Sequence, residues 1–452
     1  MEKGNKKIIR GWVFYDWANS VYNLVISSAI FPIFYDTVTT NNFKAKFFKT
    51  TVEKAKELEL PAGVPIKVDF LGLNITNSVL LSFVLSASFL VVSFLSPMLS
   101  GIADYTGSKK KFLRFFCYLG SFACISLFWF NPDQIELGML SVFFGSIGFW
   151  NSLVFYNAFL PEIAEPQDQD KISARGFSMG YFGSMLLLII CLVWIQVLDY
   201  PTKWCFVFVG IWWIGFSQIT YRVLPNNVYG RKPKRGLWRG FRELYIVYRK
   251  FKKTKRLKKY LYSFFFFNTG VQTVMLMATI FASKEINWPK GGEKSGLIIA
   301  ILLIQILGAL GAFIMSRLSG KIGNIKSLMI SISIWLGICV GAYFITTPVQ
   351  FYILAATVGL VMGGVQAIAR STYSKFLPET KDHASYFSFY DVTEKLGIVL
   401  GTFFFGMIEA VTGDLRFSVI SIGVFFLIGF ILLRFVPKEE KVIGRRIGIL
   451  EI

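Results

Sequence analysis

The chain has 452 residues, of which 54% are apolar, 17% aromatic and only 17% charged. A soluble protein carries roughly a quarter charged residues, so this balance and a mean hydropathy of +0.54 exclude a set of soluble domains. They equally exclude disordered, collagenous, coiled-coil and disulfide-scaffold classes. The apolar runs are continuous and about 20 residues long, which predicts a helical membrane protein and not an alternating β-barrel.

The first run, 12–35, contains Asp16 and exceeds the roughly 7–15 apolar residues of a signal peptide, so it reads as a retained first span. Further runs follow at 75–99, 112–130, 135–160, 176–198, 204–224, 260–282, 295–316, 327–346, 349–369, 386–409 and 417–436. The expected fold is all-α integral membrane, with twelve transmembrane helices as two pseudo-symmetric six-helix bundles. The domains expected are an N-terminal bundle (1–224), a basic linker (225–259), a C-terminal bundle (260–436) and a tail (437–452). The loop 36–74 carries Phe43, Lys44, Phe47, Glu53 and Lys54 at spacings that suggest a short surface helix.

The net charge is +21. Its Lys and Arg gather in the even-numbered gaps and both tails, which places both termini in the cytoplasm. The Lys-, Ile- and Phe-rich usage points to a bacterial inner membrane. The linker concentrates Arg231, Lys232, Lys234, Arg235, Arg249, Lys250, Lys252 and Lys253, with Leu237, Trp238, Phe241, Leu244, Tyr245, Tyr248 and Phe251 at helical spacing. It reads as an amphipathic helix on anionic lipid, ahead of nucleic acid. Cys117, Cys124, Cys191, Cys205 and Cys339 lie in apolar runs without a CxxC pair and read as packing residues. His383 alone cannot found a metal centre, and no cofactor is expected. No Gly-x-x-x-x-Gly-Lys-Ser/Thr loop is present, which argues against ATP-driven transport.

The halves look related. Phe159-Leu160-Pro161-Glu162 after the fourth run matches Phe376-Leu377-Pro378-Glu379 after the tenth. Ser100, Gly107 and Lys110 between the second and third runs match Ser316, Gly323 and Lys326 between the eighth and ninth, at nearly the same separation. Parallel six-helix repeats give this pattern. In the first of those loops, Asp104 can face a helix N-terminus or an Arg across the halves, Gly107 suits a tight turn, and Lys109 follows. The loop from Ser100 to Lys110 resembles the signature of the major facilitator superfamily. Tyr15-Asp16-Trp17-Ala18-Asn19-Ser20, Ile30-Phe31-Pro32, Phe155 to Pro161, Ser173-Ala174-Arg175-Gly176-Phe177, Gln366 to Ser371 and Tyr386 to Lys395 are together similar to the "unknown major facilitator" family. Bacterial transporters and a vacuolar amino-acid effluxer belong to it. The resemblance implies twelve helices, alternating access and solute export. Glu394 departs from its pattern.

An ionisable group at the centre of a membrane helix costs roughly 2.5–3.5 kcal/mol and so marks a pathway or a pair. Lys395 lies about nine residues into the eleventh run, with Asp391 one turn earlier as its partner; Glu394 is turned away by about 100° and shares a face with Tyr390. These residues form a structural ion pair or a site for a charged solute or proton. Asp16 reads either as a cap at the inner interface or as the start of a polar stripe with Asn19 and Asn23, flanked by Tyr22. Tyr156, Asn157, Gln272 and Gln366 add polar groups, alongside Asn151 and Asn268. Arg370 reads as snorkelling to the cytoplasm rather than clamping a solute, and Glu162 as a gate or cap. The expected function is a monomeric secondary transporter for a small organic solute such as an amino acid or peptide, with a proton as a possible coupling partner. Membrane lipid is its other partner, and no nucleic acid is expected. A lipid or lysolipid transporter on the same fold is the alternative; a membrane-embedded enzyme ranks below both.

Overall fold

A computed structural model describes residues 3–61, 64–226, 236–289 and 291–438. Among these, twelve helices are long and apolar enough to cross a membrane: Lys6–Phe47, Asn77–Thr106, Lys109–Trp129, Ile135–Ile163, Gln169–Val197, Lys203–Val223, Lys255–Glu285, Glu293–Ile322, Asn324–Phe344, Pro348–Lys375, His383–Thr412 and Leu415–Arg434. They are spans 1 to 12. Local chemistry sets several ends. The Asn5 side chain accepts from Lys7 and Ile8 N–H and starts span 1. Thr347 and Gln350 close a capping box over Pro348 at the start of span 10. Gly107 turns the chain out of span 2 with a φ of 71° that L side chains resist.

Span 1 differs from expectation at both ends. It begins at Lys6, so Asp16 lies well inside the helix and does not cap its end. It also runs to Phe47, 42 residues in all. From Tyr22 to Ala29 the helix is π-wound. Pro32 has no N–H to return to Ser28, which helps release the α pattern there. Beyond residue 35 no glycine or proline stops the helix. Asn77 at the head of span 2 fastens the extension, donating to Asp36 Oδ1 and Thr39 Oγ1 at 3.0 Å each. The loop 36–74 is therefore largely helix at its start. A single turn, Val52–Ala55, and an antiparallel hairpin of β1 (Lys67–Phe70) and β2 (Leu73–Thr76) complete it.

The helices pack as two groups of six. Within the first, spans 1 and 5, 1 and 6, 2 and 4, 3 and 4, and 3 and 6 meet. Within the second, spans 7 and 11, 7 and 12, 8 and 10, 9 and 10, and 9 and 12 meet, each the counterpart six helices on. Between the groups, span 2 meets span 11 and span 5 meets span 8, again a symmetric pair. The repeat read from the short motifs is thus a repeat of the whole packing scheme.

The linker helix Gly236–Lys253 lies against span 2. Val247 is buried, and Tyr248 and Phe251 pack on Phe389 of span 11, so one face covers the seam between the groups. Arg242, Tyr245, Arg249, Lys252 and Lys253 are exposed. Arg231, Lys232, Lys234 and Arg235 lie outside the described residues, as do the side chains of Leu237, Trp238 and Phe241.

Spans 8 and 10 approach through glycine. A Cβ on Gly363 would collide with the Gly308 backbone, one on Gly311 with the Leu360 carbonyl, and one on Gly359 with the Ile304 backbone. Lipid tails are as apolar as side chains, so such close backbone packing is a main source of helix association in membranes. Replacing Gly363 with Leu is expected to destabilise the purified protein by at least about 1–3 kcal/mol. Gly337→Leu, where a Cβ meets nothing within 4 Å, is expected to leave the thermal unfolding midpoint within a degree or two. A midpoint for Gly363→Leu equal to that of Gly337→Leu would refute the close-packing account.

Candidate functional site

Arg370 comes from span 10 and is only 3% exposed. It does not snorkel; it crosses to the first group. Its Nη1 and Nη2 donate to Asp16 Oδ2 at 3.2 and 3.1 Å, Nη1 to Asn157 Oδ1 at 3.3 Å, and Nε and Nη2 to the Ser173 hydroxyl and carbonyl at 3.0 and 2.9 Å. Tyr156 donates to the same Asp16 oxygen at 2.8 Å. The guanidinium lies over the Phe177 ring at 4.1 Å and the Trp12 ring at 4.9 Å. A buried cation needs both its counter-charge and its hydrogen bonds, and the rigid fork of Arg matches them here. Gly176 makes room: a Cβ there would strike the Asp16 carboxylate and come within 2.9 Å of Arg370 Nη2.

Around this pair, at the end of the bundle where span 1 begins, further polar contacts join the groups. Asp104 accepts from the backbone N–H of Ala384 and Ser385 at 3.1 and 2.7 Å, so it caps the N-terminus of span 11 from the other group. Glu162 bonds to Lys109 of its own group and, at 2.9 Å, to His383 Nδ1. Lys109 also lies 3.6 Å from Asp104. On the symmetry-related side, Asp170 at the start of span 5 accepts from Ser319 at 3.0 Å, Asn324 at 2.8 Å and Lys375 at 2.6 Å. In each of these contacts the carboxylate belongs to the first group and the donor across the seam to the second.

A second charged cluster lies deeper, on span 11. Lys395 is 1% exposed and donates to Asp391 Oδ1 at 2.8 Å. Glu394 is not turned away; its long side chain brings Oε2 to 3.5 Å from the same ammonium. Gln272 of span 7 donates to Glu394 Oε1 at 2.6 Å, and Trp150 of span 4 places its ring 3.4 Å from Lys395 Nζ. Tyr390 stacks on Phe264 at 4.1 Å.

The structure thus brings Asp16, Tyr156, Asn157 and Arg370 into one centre and Gln272, Asp391, Glu394 and Lys395 into another. Gln366 accepts from Tyr181 across the seam at 2.8 Å. Asn19 is buried, and its Nδ2 has no partner among the described residues. Asn23 is exposed on the π stretch, so the stripe read on a 3.6-residue helix does not continue past Tyr22. Tyr22 instead stacks on Phe149 at 4.8 Å in the first group's core.

Asp170, Ser173, Trp150 and His383 were missed as seam residues. One signal was available for Asp170. The second signature-like loop, Ser316 to Lys326, has Gly320 where its counterpart has Asp104, so an acid for that side had to come from elsewhere.

A family model described as "Vacuole effluxer Atg22 like" matches residues 4–443. The chain is 29% identical to the uncharacterized MFS-type transporter YxiO of Bacillus subtilis over 98% of this chain and 97% of that one. It is 23% identical to autophagy-related protein 22-1 of Penicillium rubens, covering 93% and 88%. Among solved structures it is similar to the major facilitator transporter FucP in the outward conformation, with a TM-score of 0.64 at 12% identity, covering 96% and 99%. The proton:xylose symporter XylE gives 0.65 at 13% over 95% of each chain.

Removing one partner of a buried ion pair strands the other and typically costs about 3–5 kcal/mol. Asp16→Asn and Arg370→Gln are each expected to lower the thermal midpoint sharply. The double variant is expected to be more stable than either single one, because no uncompensated charge remains. Additive losses in this cycle would show that the two side chains act independently.

Proposed function

The chain belongs to the Atg22-like vacuole effluxer family, a group of membrane transporters of the major facilitator fold, and from that premise we propose that it exports a small organic solute of the amino-acid or short-peptide class. The observation that carries the reading is the pair of buried charged centres at the seam, Asp16–Arg370 and Asp391–Glu394–Lys395. Charges so placed are expensive inside a membrane even when paired, and so mark the path that lies between the groups. Together they offer a guanidinium, an ammonium and carboxylates, which suits a zwitterion.

The Lys and Arg bias puts both termini in the cytoplasm, and the source membrane in this reading is a bacterial inner membrane. The contacts made by Asp104, Glu162, Asp170 and Arg370 then seal the cytoplasmic side. Transport requires the groups to rock about the two centres, with these contacts opening as the opposite side closes. The seal is polar and made of several modest bonds, so it can be exchanged for hydration, whereas a continuous apolar seam would hold one state. Spans 2, 11, 5 and 8 are the moving edges. The span-11 cluster holds two carboxylates for one ammonium, so it takes up a cation during the cycle. In a proton-coupled form Asp391 or Glu394 receives the proton. The working unit is one chain, since both halves of the path lie within it.

The reading is tested in proteoliposomes with a labelled panel of amino acids and dipeptides, by counterflow. At least one member is expected to exchange. In Lys395→Ala that exchange is expected to fall by about a hundredfold, more than the accompanying drop in thermal midpoint from the stranded acids explains, in protein shown to be folded and inserted at the assay temperature. Wild-type exchange in Lys395→Ala would remove the span-11 cluster from the path. No exchange of any member, in protein shown to be folded, would refute the solute class.

A further inference from the structure

The surroundings of Lys395 describe a recognition site. Its ammonium is held by Asp391 Oδ1 at 2.8 Å and Glu394 Oε2 at 3.5 Å, and its remaining side faces the Trp150 ring at 3.4 Å. Two carboxylates and an indole face are what a compact primary ammonium requires, since the ring attracts the cation and the acids neutralise it. The trio is contributed by both groups, because Trp150 stands on span 4 and the acids on span 11.

The site is also incomplete. Two carboxylates meet one ammonium, which leaves one formal negative charge without a partner inside the cluster. Asp391 Oδ2 is buried and has no hydrogen-bond partner among the described residues. Asn268 Nδ2 is in the same condition, and Asn268 is 5% exposed. Its position on span 7 says where it points. Asn268 lies one turn after Phe264, which stacks on Tyr390, and one turn before Gln272, which bonds Glu394. The face of span 7 that carries Asn268 is therefore the face turned to the acids of span 11. A buried acceptor, a buried donor and a surplus charge are each unfavourable alone. One ligand with an ammonium and an adjacent acceptor satisfies all three.

We propose that this cluster is the amine subsite of the transporter. The ammonium of an amine-bearing solute enters beside Lys395, takes Asp391 Oδ2 and Glu394 as its partners, and brings the cluster to two carboxylates and two ammoniums. Asn268 donates to a carbonyl or carboxylate oxygen of the same solute. Lys395 is the resident cation that keeps the two acids from repelling each other between loads. The inference rests on the transport reading above and narrows it: a free amine is required, and an acylated amine is refused.

The test uses leucinamide, a primary amine of amino-acid size without a carboxylate, and N-acetyl-leucinamide, which matches it without the charge. In detergent, leucinamide is expected to raise the thermal midpoint of the wild-type protein saturably, and the acetylated probe is expected not to. Glu394→Gln is expected to weaken the response to leucinamide at least tenfold. If that variant does not fold, Trp150→Leu is expected to weaken the same response severalfold, with Trp150→Phe in between. Equal responses to the two probes, or an unchanged leucinamide affinity in the variants, would overturn the proposal and leave the proton as the cluster's cation. Counterflow separates this from failure of the transport reading. Exchange of acetylated and free amines at equal rates defeats the amine subsite and keeps the transporter. Saturable leucinamide binding with no exchange of any solute keeps the subsite and defeats the transport reading.

Discussion

A guanidinium held away from water inside a membrane bundle must find its counter-charge, and the geometry of this protein is organised around that demand. Arg370 is supplied by one six-helix group and Asp16 by the other, so neither group satisfies it alone. The surrounding architecture follows from the pairing. Gly176 has no side chain because the carboxylate occupies its place. Tyr156 and Asn157 sit at the end of span 4 where the last lone pairs and N–H groups need partners. Spans 1, 5 and 10 are drawn together at that point, and the seam between the groups is defined there before any solute arrives.

The deeper cluster on span 11 has a different balance. The Asp16–Arg370 centre is neutral, and each guanidinium nitrogen donates to at least one acceptor, which suits a structural contact. The Asp391–Glu394–Lys395 centre is left with a surplus acid and orphaned polar atoms, which suits a site awaiting a ligand. The contrast matters because both centres consist of the same residue types.

Much of this was legible in the sequence. Continuous apolar runs identify the spans, since burial in lipid tolerates little else. The matched pairs Phe159/Phe376 and Gly107/Gly323 identify the repeat. The i, i+4 spacing of Asp391 and Lys395 identifies their bond. What could not be read is whatever depends on partners far apart in the chain. Depth along a helix points Arg370 to the cytoplasm, because it says nothing of a carboxylate on another span. Helix angle alone turns Glu394 from Lys395, because it ignores the reach of the side chain. The stripe through Asn19 and Asn23 assumed an α-helix throughout, and the π winding from Tyr22 to Ala29 changes the phase. Span 1 outran its apolar segment because the partners of Asp36 and Thr39 lie on span 2.

The distribution of charge across the seam has one more consequence. Asp16, Asp104, Glu162 and Asp170 all stand on the first group, while Arg370, Lys375, His383 and the amino end of span 11 all stand on the second. The two groups share one scheme of packing, yet they meet as plug and socket. Two copies of the first group would set these acids against one another, partly relieved by Lys109, and two copies of the second would leave Arg370 and Lys375 without their carboxylates. The contacts across the seam therefore favour pairing of a first group with a second over either self-pair.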